Sequence, residues 1–144
     1  MVDPDRVRRL LGVLARYRGQ LAEFAELPPE EYAEQALAAR YLVQVSAQTC
    51  IDLANHVIAS SLWRAPRDFR DAFAVLEEND VLDAALAARL RALAGLRNRL
   101  VHLYEEVDDS LVHRALPEGL RDFDAFGQAI ARVVADEPPA SHQG

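Results

Sequence analysis

The sequence predicts an all-α protein, an up-and-down bundle of four main helices plus a short helix, in one domain spanning residues 1–136. Two observations lead there. Apolar residues recur at steps of three and four along nearly the whole chain, and no stretch shows the two-residue alternation of a half-buried strand. A third bounds the size: 144 residues, 51% hydrophobic and 27% charged, suit one proper core and not two.

Val7, Leu10, Leu11, Leu14, Tyr17, Leu21 and Phe24 make one stripe, so a helix is expected over 4–26. "LPPE" ends it, and Pro28-Pro29 suits the first turn of a second helix, expected over 30–62. "RAPRD" reads as a turn, 69–78 as a short helix, and "END" as its close. A further helix is expected from about 81, carrying "RNRLVH" towards its end. Pro117 and Gly119 mark a last helix running to 135, and "EPPASHQG" at 137–144 is expected to be a flexible tail.

Composition excludes several classes of function. The net charge of −7 argues against a general nucleic-acid coat, and no apolar run is long enough to span a bilayer. The first residues have no apolar signal core, so a cytoplasmic protein is expected. The lone Cys50 rules out a disulfide framework. Neither HExxH nor CxxC occurs, and no Gly-rich phosphate loop or nucleophile elbow is present, so neither metal nor cofactor is expected.

Charge is distributed unevenly. Residues 84–104 contain no Asp or Glu but hold Arg89, Arg91, Arg97, Arg99 and His102, and four acids lie within 105–109. On a regular helix Asn98 and His102 share a polar side, while Arg97 and Tyr104 lie together at the edge of the Leu93/Leu96/Leu100/Leu103 stripe. Arg97 and His102 are then about 140° apart. An Arg, a His and a Tyr without metal ligands suit work on a phosphodiester. A His moves the proton of a ribose 2′-hydroxyl or of the leaving oxygen, and an Arg binds the phosphate through both its nitrogens. The plainer alternative is that His102 caps carbonyls while Arg97 pairs with nearby acids.

A second polar feature lies on the otherwise apolar second helix. Gln44, Gln48, Asp52 and Asn55 fall on one side, with His56 beside them. Such a seam either bonds to neighbouring helices or faces a wet cleft or a second subunit.

Arg97, four residues, His102, one residue, Tyr104 resembles the signature of HepT-type toxins, small all-α ribonucleases of the HEPN superfamily. "CIDLANHVIAS" (50–60) is similar to that family's central helix, and "RNRLVHLYEEVDDSLVHRAL" (97–116) to its motif helix and the segment after it. The resemblance spans roughly 5 to 135. It implies a toxin of a two-gene system that cleaves RNA without a metal, with Arg97 and His102 catalytic and Asn98 assisting. It implies a minimal nucleotidyltransferase antitoxin as partner, Tyr104 as the residue receiving AMP, and a homodimer in which two motifs meet, larger when the antitoxin joins it. Asp52, Asn55, His56 and Arg99 are expected to support the site. The alternative is a non-catalytic helical module that only docks a nucleotidyltransferase.

Overall fold

In a computed structural model, which describes residues 1–136, α1 begins at Pro4 because Asp3 caps it. The Asp3 carboxylate accepts from the backbone N–H groups of Asp5 and Arg6, and proline fills the first helical position. The helix α1 runs Pro4–Ala25, followed by α2 (Pro29–Glu34), α3 (Ala36–Ser60), α4 (Phe69–Glu78), α5 (Ala84–His102), a 3₁₀ turn (Tyr104–Glu106) and α6 (Asp109–Asp136). The described residues include no strand. The expected tail at 137–144 lies outside them.

Three expected boundaries are corrected. The segment expected as one helix over 30–62 breaks at Gln35, whose φ of −114° and ψ of 16° leave the helical region, so α2 and α3 are separate. The last helix starts at Asp109, not near Pro117. The Asp108 carboxylate accepts from the N–H groups of Ser110 and Leu111 at 3.0 and 3.3 Å, and that cap sets the start. Pro117 sits inside α6, on its exposed side. The fifth helix begins at Ala84, where the Asp83 side chain accepts from Leu86 N–H at 2.7 Å.

The helix α3 is the central element: Ala39, Val43, Ala47, Cys50, Ile51, Leu53, Ala54, Val57 and Ile58 are buried around most of its circumference. It packs against α1, α4, α5 and α6, while α1 lies along α6 and α4 lies along α5. Phe73 and Phe126 meet edge-to-face across the centre, 5.9 Å between ring centroids. Burial pushes the Cys50 thiol far above its ordinary pKa, so it behaves as a small apolar residue. No helix among the described residues is long and apolar enough to cross a membrane.

The helices α3 and α4 end alike. Leu62 and Asp80 adopt positive φ of 60° and 62°. After each, the next N–H reaches back to a carbonyl one turn into the helix, Trp63 to Ile58 and Val81 to Leu76. These turns swing the chain so that the first turn of α4 meets the C-terminal half of α5.

Candidate active site

Arg97 lies on α5 with its guanidinium 5.1 Å from the centroid of the Phe69 ring, the first residue of α4. Its Nη1 donates to the Asn98 side-chain oxygen at 3.1 Å. Its Nε is buried and has no hydrogen-bond partner. No acid pairs with it among the described residues, although the plainer sequence reading expected one. An aromatic face below and an amide beside it fix the guanidinium without neutralising it, and so leave it available to an anion.

His102 is the last residue of α5 and is exposed. Its ring makes no hydrogen bond among the described residues, so it does not cap carbonyls. Five residues separate it from Arg97, which at 3.6 residues per turn puts the two side chains about 140° apart on one helix. Arg99, in the same last turn, is exposed and unpaired among the described residues.

Tyr104 is not placed as expected. The regular helix stops at His102, Leu103 takes φ −136° and ψ 43°, and Tyr104 opens the 3₁₀ turn. It therefore shares no helix face with Arg97. Arg40 of α3 braces the segment that follows the break. Its Nη1 donates to the Tyr104 carbonyl at 2.8 Å and its Nη2 to the Val107 carbonyl at 3.3 Å, while Nε and Nη2 grip Asp109 at 2.7 and 3.0 Å. The hydrogen bond to Asp109 raises the Arg40 pKa further, so the clamp is always charged. These guanidinium bonds satisfy carbonyls of the non-helical segment between α5 and α6 and tie it to α3. The Tyr104 side chain stays exposed, as do Val101, Leu103 and Leu111 near it, and Leu37 and Tyr41 on the turns of α3 flanking Arg40.

The polar seam of α3 divides. Gln48 donates to Asp52 at 2.9 Å within the helix, while the Gln48 side-chain oxygen is buried without a partner. Asn55 is half-buried and makes no hydrogen bond among the described residues. His56 is turned to the chain's first residues, its Nε2 accepting the Asp3 N–H at 3.0 Å, which puts the neutral ring's proton on Nδ1. Among the described residues neither Gln48, Asp52 nor Asn55 bonds to Arg97. No cluster of three or more His, Cys, Asp or Glu suited to a metal occurs among the described residues.

Sequence reasoning missed Phe69 and Arg40. In the sequence Phe69 only opens a short helix, and Arg40 is one arginine among sixteen basic residues. Neither touches the motif in sequence, so only packing brings them to it.

The family model for the ribonuclease HepT-like family matches residues 14–130. A protein of Aphanizomenon flos-aquae named tRNA nuclease HepT is 27% identical over 132 residues, 90% of each chain. One of Shewanella oneidensis named mRNA nuclease HepT is 33% identical over 88 residues, 61% of this chain and 66% of its own. Among solved structures, a tri-AMPylated Shewanella oneidensis HEPN toxin in complex with an MNT antitoxin superposes with a TM-score of 0.81. It is 23% identical, over 88% of this chain and 96% of that one, a likeness of fold.

Proposed function

The chain belongs to the HepT-like ribonuclease family, and on that premise we propose that it is the toxin of a toxin–antitoxin pair, cleaving RNA in the cytoplasm without a metal. The observation that carries this is Arg97, pinned by Phe69 and Asn98 yet facing no carboxylate, on the helix that ends in the unbonded His102.

The chemistry uses the nucleophile that RNA carries. The ribose 2′-hydroxyl loses its proton to a His102 imidazole as its oxygen attacks the adjacent phosphorus. The bond from phosphorus to the 5′-oxygen breaks, and that oxygen takes a proton from an imidazolium. The products are a 2′,3′-cyclic phosphate and a 5′-hydroxyl, with protons balanced. Arg97 binds the non-bridging oxygens and gains strength as their charge grows in the transition state, and Asn98 keeps its guanidinium in place. A homodimer supplies two His102 rings to one groove, one as base and one as acid, and resolves the 140° between Arg97 and His102. The exposed apolar side chains Val101, Leu103 and Leu111 beside the motif support an interface there.

Relatives in this fold are bound to nucleotidyltransferase antitoxins, and one is AMPylated. We assign the same partner here, with Tyr104 as acceptor. Its hydroxyl attacks the α-phosphorus of ATP and pyrophosphate leaves. The phenol is exposed within two residues of His102, so an adenylate there blocks RNA by charge and by bulk.

Purified protein incubated with total RNA, beside His102→Ala and Arg97→Ala, tests the reading. Each variant should lose roughly 10²-fold or more in cleavage. A wild type that leaves RNA intact while still binding a nucleotidyltransferase would establish the docking module instead. Mass spectrometry after incubation with the antitoxin and ATP should find adenylate on wild type and none on Tyr104→Phe.

A further inference from the structure

The first two residues of α4 both reach α5. Phe69 lies against Arg97, and Arg70, next in the chain, crosses α5 at Gly95. A Cβ added at Gly95 would stand 3.3 Å from Arg70 Nη1 and 3.9 Å from Arg99 Nη1. Gly95 is helical and has no positive φ, so no turn requires it. What the missing side chain provides is a notch, into which one guanidinium settles from α4 and beside which another settles from α5.

Two like charges converging on one point repel unless something of opposite sign lies between them. Among the described residues neither Arg70 nor Arg99 makes an ion pair or a side-chain hydrogen bond. Their neighbours differ: Arg64 and Arg67 bind Asp71, Arg89 binds Asp122, and Arg91 binds Glu77. Arg91, on the same helix as Arg99, thus reaches an acid of α4, whereas the two arginines at the notch reach none among the described residues. The acid-free run from Ala84 to Tyr104 offers them nothing. Gly95 and Arg97, two residues apart, are separated by about 3 Å along α5 but by about 200° around it, whereas His102, seven residues on, lies within about 20° of Gly95, so the notch is on the His102 side of the helix.

We infer that Arg70 and Arg99 form a second phosphate subsite over Gly95, on the His102 side of α5, which binds a backbone phosphate of RNA neighbouring the one at which His102 acts. A strand with a charge on every nucleotide meets both positions at once, whereas a lone carboxylate or mononucleotide meets one. The fork geometry of arginine suits the oxygens of a phosphodiester. The subsite rests on the ribonuclease reading for its ligand, but not for its geometry. Arg70 acts in binding and stands outside the chemical step.

The test uses the full chain in a His102→Ala background, so that RNA is bound and not cut. A fluorescein-labelled single-stranded RNA is titrated at a series of sodium chloride concentrations and followed by anisotropy. Arg70→Ala should weaken binding about two- to fivefold, as expected for one exposed ion pair. Its plot of log K against log salt should be shallower by about 0.7, the share of one phosphate contact on a single strand. Arg70→Lys, which keeps the charge, should keep the slope. In the cleaving background Arg70→Ala should raise KM and leave kcat near its parent value. Parent-like affinity and slope for Arg70→Ala overturn the subsite, even when the wild type cleaves RNA. A wild type that binds RNA with the predicted dependence on Arg70 but never cuts it overturns the ribonuclease reading and leaves the subsite standing. A background that binds no RNA at all overturns both.

Discussion

Replacing Arg40 by Met removes the guanidinium and keeps most of the hydrocarbon stem. The lost contacts are two bonds to Asp109, at 2.7 and 3.0 Å, and one each to the carbonyls of Tyr104 and Val107. Stripping one partner from a fully buried ion pair costs about 3–5 kcal/mol, because the other charge is left uncompensated. Here the Arg40 and Asp109 side chains are 17% and 31% exposed, so water reaches the abandoned carboxylate. About half the buried figure, ~2 kcal/mol, is the appropriate scale. At about 3–4 °C per kcal/mol for a chain near 150 residues, the melting temperature should fall by about 6–8 °C. Far-UV circular dichroism during a thermal scan measures it. A double-mutant cycle with Asp109→Asn isolates the pair, and the double variant should lose little more than Arg40→Met alone. Hydrogen exchange should quicken at the amides of Glu106 and Val107, which donate within the turn that Arg40 braces. A fall below about 2 °C, with exchange unchanged at those amides, would refute the clamp.

Other contacts predict three further outcomes. Arg64, and then the Arg67 backbone N–H, hold the Asp71 carboxyl well below the usual carboxylate range, and Arg64 also lowers Glu78. Folded values below unfolded ones give stability that is present above about pH 4 and lost as pH falls further. Asp71→Asn should flatten that acid limb in melting temperature against pH, and parallel limbs would count against it. Tyr32 is buried with an unbonded hydroxyl, stacked on His113 at 4.1 Å between ring centroids. Tyr32→Phe should therefore cost under about 0.5 kcal/mol or stabilise, read from a denaturant melt. Burial first, then the Asp109 charge, pushes the Tyr32 phenol up to about 12. The unfolded chain then sheds a proton that the folded chain keeps, so stability declines as pH rises from about 10 to 12, and the Phe variant should lose that decline. Phe69→Leu keeps packing but removes the aromatic face at Arg97. Steady-state cleavage should drop about two- to tenfold in kcat/KM with little change in melting temperature, as loss of a cation–π contact implies; unchanged kcat/KM would remove Phe69 from the site.

Much of this architecture is legible in the sequence. The first helix and the short α4 fall where periodicity and turn residues put them. The split at Gln35 is not legible, because Ala33 and Glu34 before it and Ala36 and Leu37 after it favour helix and the break lies in backbone angles. The start of α6 is easily misread because Asp108 looks like one more acid in a cluster, when its carboxylate is a helix cap. Pro117 then passes for a helix start, although it stands well inside α6. The residues of the motif are legible as a group, since Arg97, Asn98, His102 and Tyr104 stand close in sequence. Their surroundings are not, because Arg40 and Phe69 come from helices remote in the chain and reach the motif through packing.

With Tyr104 as the proposed acceptor, the bracing of its carbonyl by Arg40 also bears on how a partner would meet it. A target presented on a loose loop must be ordered as it docks, and each residue fixed costs about 1–2 kcal/mol of conformational entropy. The turn at 104–106 has its backbone bonds in place beforehand, while the phenol itself projects into solvent. Recognition can then rest on shape alone, with no coupled folding. The same rigidity acts on whatever is attached. A group attached to Tyr104 would have side-chain rotation but no hinge in the backbone, so it would stay beside the end of α5 for as long as it is attached.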